Sequence, residues 1–200
     1  MKIKGISKAM VIIEGASPLL MHNGQLANPL NPIVKQMKEI TSKHHSKKTE
    51  ADLLELMRLE FMGGLYFDDK IGPYIPCEAI EGTIRAGATL KSKGKQVVAG
   101  VQVDPAKVKL IYNGPKSADK LYEDKNFVDV RGVGLNKSAT IMRTRPRFDS
   151  WSAEFELMVI DEVLSLNDVR GFIEKAGMLK GILDYRPKFG RFILKEFIEV

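Results

Sequence analysis

The sequence predicts an α+β fold, and three observations carry that expectation. Two short, nearly continuous apolar runs, residues 9–13 (AMVII) and 157–160 (LMVI), have the length and composition of buried strands. Two stretches, after Pro76 and after Ser165, carry apolar residues at helical spacing. Residues 139–161 are rich in β-branched and aromatic side chains and are broken at Phe148-Asp149-Ser150 by a turn-favouring pair, so they read as a hairpin. A chain of 200 residues with 44% apolar content suits one domain, residues 1–200, with a real core.

Taken in order, 9–13 is the first strand, bounded by Lys8 and Glu14-Gly15. Pro18 and Asn23-Gly24 then stop regular structure. Asn31-Pro32 followed by Ile33, Val34, Met37 and Ile40 supplies a cap, a first-turn proline and helical spacing. Residues 41–49 (TSKHHSKKT) read as a polar loop, and Thr49 caps a helix lined by Leu53, Leu54, Met57 and Phe61 and ended at Gly63-Gly64. Residues 64–75 have the shape of a hairpin around Asp68-Asp69-Lys70. Pro76 opens a helix on which Cys77, Ile80, Ile84 and Ala88 share a stripe, with Gly82 and Gly87 kept for close approach to a sheet or ligand. Residues 96–104, 107–112 and 128–133 read as strands, 119–125 as a polar loop and 131–137 as flexible. Ser165 caps the second core helix, and 190–200 alternates as a closing strand.

With residues 17–70 and 94–138 set aside as insertions, the core is 1–16, 71–93 and 139–200. Its order is then strand, helix, hairpin, helix, strand: βαββαβ, the ferredoxin-like or RRM-like unit, whose sheet places the first and third strands centrally. Those are the two most apolar runs.

The formal net charge is +6, and its distribution says more than its size. Between residues 131 and 148 there are five bases and no acid, 82–103 holds Arg85 and three lysines without an acid, and 180–195 sets five bases against Asp184. This segregation points to one positive face. Arg143, Arg145 and Arg147 recur at a spacing of two, which places them on one side of a strand where they require a polyanion, water or distant acids in front of them. Pro146 makes that strand an edge or an irregular one. Phe148 and Trp151 nearby, and Tyr185-Arg186-Pro187-Lys188-Phe189-Gly190-Arg191 later, add rings that either stack on unpaired bases or belong to the core. The candidate nucleic-acid-binding set is Arg85, Arg131, Lys137, Arg143, Arg145, Arg147, Phe148, Trp151, Arg186, Lys188 and Arg191. Lys43, His44, His45, Lys47 and Lys48 form either a phosphate-contacting arm or a solvated loop.

The stretch Gly72-Pro73-Tyr74-Ile75-Pro76-Cys77-Glu78-Ala79-Ile80-Glu81-Gly82-Thr83-Ile84-Arg85 resembles the signature of the RAMP superfamily, the RNA-binding subunits of CRISPR systems. Ser17-Pro18-Leu19 is similar to that family's turn after the first strand, and Gly177, Gly181 and Gly190 are loosely similar to its C-terminal glycine-rich loop. Cys77 stands where the family often has glycine, and the chain is short for a CRISPR backbone subunit, so a phage or mobile-element relative is the alternative. The resemblance implies single-stranded RNA bound along its backbone, side-by-side assembly into a helical filament with other CRISPR-type subunits as further partners, and a thumb-like hairpin within 94–138.

Chemistry narrows the rest. One cysteine excludes a disulfide framework and a cysteine-based zinc site, and Cys77 on an apolar stripe reads as a core residue. No stretch approaches the roughly 18 apolar residues of a spanning helix, so a soluble, cytoplasmic protein is expected. Gly132–Ser138 lacks the glycine before lysine of a phosphate loop. No cofactor, metal or catalytic residue is expected, and neither Asp68, Asp69 nor Asp149 is singled out by a motif. The competing reading is a metal-independent endoribonuclease using His22, His44 or His45, which would need a partner such as Arg85 or Tyr74 close by.

Overall fold

The computed structural model describes residues 5–136 and 139–200. The chain opens with β1 (Ile6–Gly15), in which Ala9, Val11 and Ile13 are buried and the residues between them are only half-buried. A short β2 (Leu19–Leu20) follows. Helix α1 (Pro32–Thr41) begins where the Asn31 side chain accepts the Ile33 N–H and Pro32 occupies the first turn. Helix α2 (Glu50–Gly64) begins in a reciprocal capping box: Thr49 Oγ1 accepts the Asp52 N–H, and the Asp52 carboxylate accepts the Thr49 N–H. Gly63 and Gly64 form its last residues rather than its stop. The hairpin β3 (Phe67–Asp68) and β4 (Gly72–Pro76) leads into α3 (Cys77–Ala88), then α4 (Gly94–Gly100), β5 (Val101–Asp104) and β6 (Lys107–Ile111). Next come α5 (Ala118–Glu123), β7 (Val128–Asn136), β8 (Ala139–Phe148), β9 (Ser152–Ile160), α6 (Leu166–Leu179), capped by Ser165, and β10 (Phe192–Glu199).

Two antiparallel sheets organise these elements, so the fold is α+β. The larger has the order β10-β1-β9-β6-β4-β3, with β5 also paired to β9. The smaller has the order β2-β8-β7. Helices α3 and α6 pack on each other and on one face of the larger sheet, where Val11, Phe155, Leu157 and Val159 meet Ile80, Ile84, Val169 and Phe172 in a single core. A Cβ at Gly87 would collide with the Phe172 carbonyl oxygen, so this glycine sets how closely α3 and α6 approach. Gly82 has nothing within 4 Å of such a Cβ and opens to a cleft instead.

The structure corrects several expectations from sequence. Residues 139–161 are not a hairpin: β8 and β9 belong to different sheets, because after Phe148 the chain crosses from one to the other instead of reversing. Strands β5 and β6, within the stretch set aside as the second insertion, pair with β9 in the larger sheet and take the place predicted for β8. The run 157–160 is not buried on both faces, since Met158 and Ile160 point away from the helices. Strand β8 lies between β2 and β7 rather than at an edge, and Pro146, without an N–H, still accepts the Met21 N–H through its carbonyl. Residues 94–100 and 118–123 are helical, the latter because Leu121 is fully buried, and 41–49 contains a short 3-10 turn at His45–Lys47. Residues 131–136 are strand, and Lys137 lies outside the described residues.

Candidate functional site

Strand alternation sets Arg143, Arg145 and Arg147 on one side of β8, and the structure supplies each with a carboxylate. The Arg143 guanidinium donates to Glu60 of α2 at 2.5 Å, and the second Glu60 oxygen accepts the Thr144 N–H at 2.8 Å. Arg145 Nε lies 2.5 Å from Asp184, and Arg147 Nε donates to Asp149 at 2.5 Å. On β7, directly opposite Arg143, Arg131 pairs with the buried Asp129. Its guanidinium also lies 4.4 Å from the ring centroid of Phe189 and 5.4 Å from that of Tyr185. The arginine row is therefore answered mainly from within the protein. Arg145 is 7% exposed, and although it touches Asp184, the two are not aligned for a hydrogen bond: Nε, Nη1 and the facing Asp184 oxygen have no such partner among the described residues. That pair is a Coulombic contact in a desolvated place, and its role is structural.

Phe148 and Trp151 are corrected likewise. Phe148 is 1% exposed and makes edge-to-face contacts with Tyr112 and Phe127. Trp151 is 3% exposed, lies over Gly15 and against Phe192, and donates its indole N–H to the Ser17 carbonyl at 2.9 Å. Neither ring is available to a base.

The exposed cations gather elsewhere. The loop after α6 folds back on itself through left-handed backbone at Gly181, Leu183, Tyr185 and Gly190, closed by Ile182 N–H to Gly190 carbonyl at 2.9 Å. The loop docks on residues 16–20: the Gly190 N–H donates to the Pro18 carbonyl at 2.8 Å, Asp184 N–H to the Leu20 carbonyl at 3.1 Å, and Arg191 N–H to Ser17 Oγ at 2.9 Å. Two segments 160 or more residues apart thus become one rim, which holds Arg186 and Asp184 across from α3. Between them lies an open cleft of about 310 Å³ lined by His22, Tyr66, the exposed Glu78, Gly82, Arg85, Asp184 and Arg186. Arg85, Arg186 and Lys188 are exposed and have no ion pair among the described residues. Arg191 is exposed and donates to the Pro187 carbonyl at 2.9 Å. Burial raises the Tyr66 pKa, keeping its phenol protonated. A shallower hollow beside the cleft exposes Lys180 and Tyr185 along the same rim.

His22 borders this cleft and also a smaller cavity of about 230 Å³ formed with Leu26, Met37, Glu60, Arg143 and Arg145. His44 and His45 are remote in role. His44 Nδ1 lies 2.8 Å from Ser46 Oγ within its own exposed turn. Of the arm, Lys43 is paired with Asp52 at 2.6 Å, while Lys47 and Lys48 have no ion pair among the described residues. Tyr74, expected as a histidine partner, stacks edge-to-face on Tyr66 and lies under Lys107 instead.

Sequence reasoning missed Tyr66 and the four carboxylates. Asp129 and Asp149 stand two residues from Arg131 and Arg147, so those pairs were legible as same-side neighbours; Glu60 and Asp184 reach β8 only through the tertiary fold. Among the described residues, no group of three or more His, Cys, Asp or Glu side chains forms a candidate metal site, and no helix is long and apolar enough to cross a membrane.

No protein-family model matches the sequence, and no curated protein does either. Among solved structures, the chain is similar to one chain of a cryo-EM structure of the Type III-B Cmr-beta bound to cognate target RNA, with a TM-score of 0.55 and 12% sequence identity. The likeness covers 98% of this chain and 61% of that one, and at this identity it is a likeness of fold.

Proposed function

We propose that this chain is a RAMP-like, non-catalytic protein that binds single-stranded RNA or DNA with little regard to sequence and assembles side by side along the strand. The observation that carries the reading is the rim of the open cleft. There Arg85 and Arg186 remain exposed, Lys188 and Arg191 are exposed farther along the chain after Arg186, and the arginines of β7 and β8 are matched by protein carboxylates. Guanidinium groups spaced along a groove hold successive phosphates, and Tyr185, 39% exposed at the rim, offers a ring face to an unpaired base. Arg147 joins them, because its pair with Asp149 is on the surface and such pairs contribute about 0–1 kcal/mol, which a phosphate can displace.

Support also comes from the fold. We read the order β10-β1-β9-β5, with α3 and α6 on one face, as a ferredoxin-like core in which β5 and β6 rather than β8 supply the second strand. The similar solved chain belongs to an assembly bound to target RNA, which favours RNA and other CRISPR-type subunits as partners.

The test is fluorescence anisotropy with labelled single-stranded RNA and DNA at several salt concentrations. Arg85→Ala/Arg186→Ala is expected to weaken binding about tenfold or more and to lower the log–log salt slope by about 0.7 for each phosphate that the protein no longer neutralises. Equal affinity of variant and parent would overturn the assignment of this cleft. The second reading, a histidine ribonuclease, is favoured by one observation: His22 shares the cleft with Arg85 and Tyr66. It requires shortened RNA on a denaturing gel without added metal and its loss in His22→Ala, whereas the binding reading leaves the RNA intact.

A further inference from the structure

Strand β8 runs on past its neighbour β2. Leu19 and Leu20 pair with Phe148 and Arg147, the Met21 N–H donates to the Pro146 carbonyl, and the chain then turns away at Asn23, whose N–H donates to the Gly64 carbonyl. Beside residues 143–145 no strand continues β2, and the Thr144 N–H is taken by the Glu60 carboxylate at 2.8 Å instead. The 3-10 turn Gly24–Ala27 is tied to the end of α2 by Gln25, whose side-chain amide donates to the Gly63 carbonyl at 2.9 Å. A Cβ at Gly63 would collide with the Leu26 side chain, so this glycine lets the turn lie directly on α2. What remains is the cavity of about 230 Å³ that His22 borders together with the main cleft.

The lining combines two chemistries. Leu26, Ala27 and Met37, from the turn and α1, are apolar; Arg143, Arg145 and Glu60, from β8 and α2, are charged. Both Glu60 oxygens are occupied, one by Arg143 and one by the Thr144 N–H. Arg145 is different. Only 7% exposed, it donates no hydrogen bond among the described residues: Asp184, on the cleft side, offsets its charge but accepts none of its N–H groups. Its Nε and Nη1 are covered by protein, and Nη2 is the nitrogen that keeps access. A buried donor group left without an acceptor, on the wall of a cavity with an apolar floor, calls for a ligand that brings the acceptor.

We propose that this cavity binds a small organic monocarboxylate, its oxygens held by Arg145 Nη2 and Arg143 and its hydrocarbon part lying against Leu26, Ala27 and Met37. A carboxylate matches the planar guanidinium and forms stronger hydrogen bonds with it than a neutral oxygen does. The volume lies below the roughly 300 Å³ at which pockets for drug-sized ligands begin, which limits the ligand to a few carbons beyond its carboxyl group. The site is separate from the nucleic-acid cleft and does not depend on that reading.

Isothermal titration of the full, nucleic-acid-free chain with isovalerate at constant ionic strength tests it. Saturable one-site binding is expected, with acetate at least about tenfold weaker, since each buried methylene contributes about fourfold. Isovaleramide, which keeps the shape without the charge, should not bind. At about ten times its dissociation constant, isovalerate should raise the thermal midpoint by about 3–6 °C. Ala27→Phe, at an exposed position on the lining, should fill the cavity and abolish binding while keeping the parent's circular dichroism. Arg145→Lys keeps the charge without the planar fork and should weaken binding about tenfold or more. Arg85→Ala/Arg186→Ala, in the main cleft, should bind isovalerate as the parent does. No saturable binding of isovalerate, parent affinity in Ala27→Phe or Arg145→Lys, equal binding of isovaleramide or inorganic phosphate, or loss of binding in the cleft variant overturns the proposal.

Discussion

Arg145 and Arg186 share a residue type and differ in everything that decides its use. Arg145 is 7% exposed and held by Asp184 of the 181–190 loop, so its charge is satisfied internally and its stem packs. Arg186, two residues beyond Asp184, is exposed on the cleft. Removing Arg145 strands a carboxylate in a partly desolvated place. Arg145→Ala is expected to cost about 3 kcal/mol, toward the low end for broken buried pairs because Asp184 keeps some solvent contact. Arg145→Met/Asp184→Leu should recover most of that loss. Chemical denaturation of the three proteins checks both statements, and a loss under about 1 kcal/mol in Arg145→Ala would contradict the structural role. Cys77 shows the same principle in a smaller residue: burial and the neighbouring Glu78 carboxylate push its thiol up to about 11, so it stays protonated and packs as an apolar side chain.

At the scale of elements, two local devices carry consequences that can be measured. Asp52 closes the α2 capping box and also accepts Lys43 at 2.6 Å; these hydrogen bonds hold its carboxyl at about 2. The folded value lies below the ordinary one of 3.8, so the stabilisation is complete above about pH 4 and is lost as pH falls through 2. The first turn of α2 should therefore fray in that window, seen as faster amide exchange at residues 50–53. Asp52→Asn should remove the pH dependence. Helix α3 contains a contrast between two glycines. Gly87→Ala drives a methyl into the Phe172 carbonyl and should destabilise by about 1–3 kcal/mol or more through α3–α6 overpacking. Gly82→Ala meets open space and should gain up to about 1 kcal/mol of helix stability. Thermal melts of the two variants should move in opposite directions.

Across the whole molecule, charge is divided by surface rather than by segment. The cleft between α3 and the 181–190 loop keeps its cations exposed, the β7–β8 arginines are matched within the protein, and the open face of β1, β9 and β10 is acidic. A net charge of +6 therefore understates how polarised the chain is. Local chemistry was enough to read the caps at Asn31, Thr49 and Ser165, the hairpin around Asp68-Asp69-Lys70, the two core helices and the two central strands, because each depends on residues within one turn or one strand. The tertiary structure alone decided which strand lies beside β9. Residues 101–111 and 139–148 have similar β character, and the choice between them depends on pairing over tens of residues and on where the chain crosses after Phe148. It also decided which arginines remain exposed. Spacing of two placed three guanidinium groups on one side of β8, but Glu60 and Asp184, which neutralise two of them, come from 83 and 39 positions away. Side-chain identity and periodicity determined what could be buried or charged; long-range approach determined which charges were left for a partner.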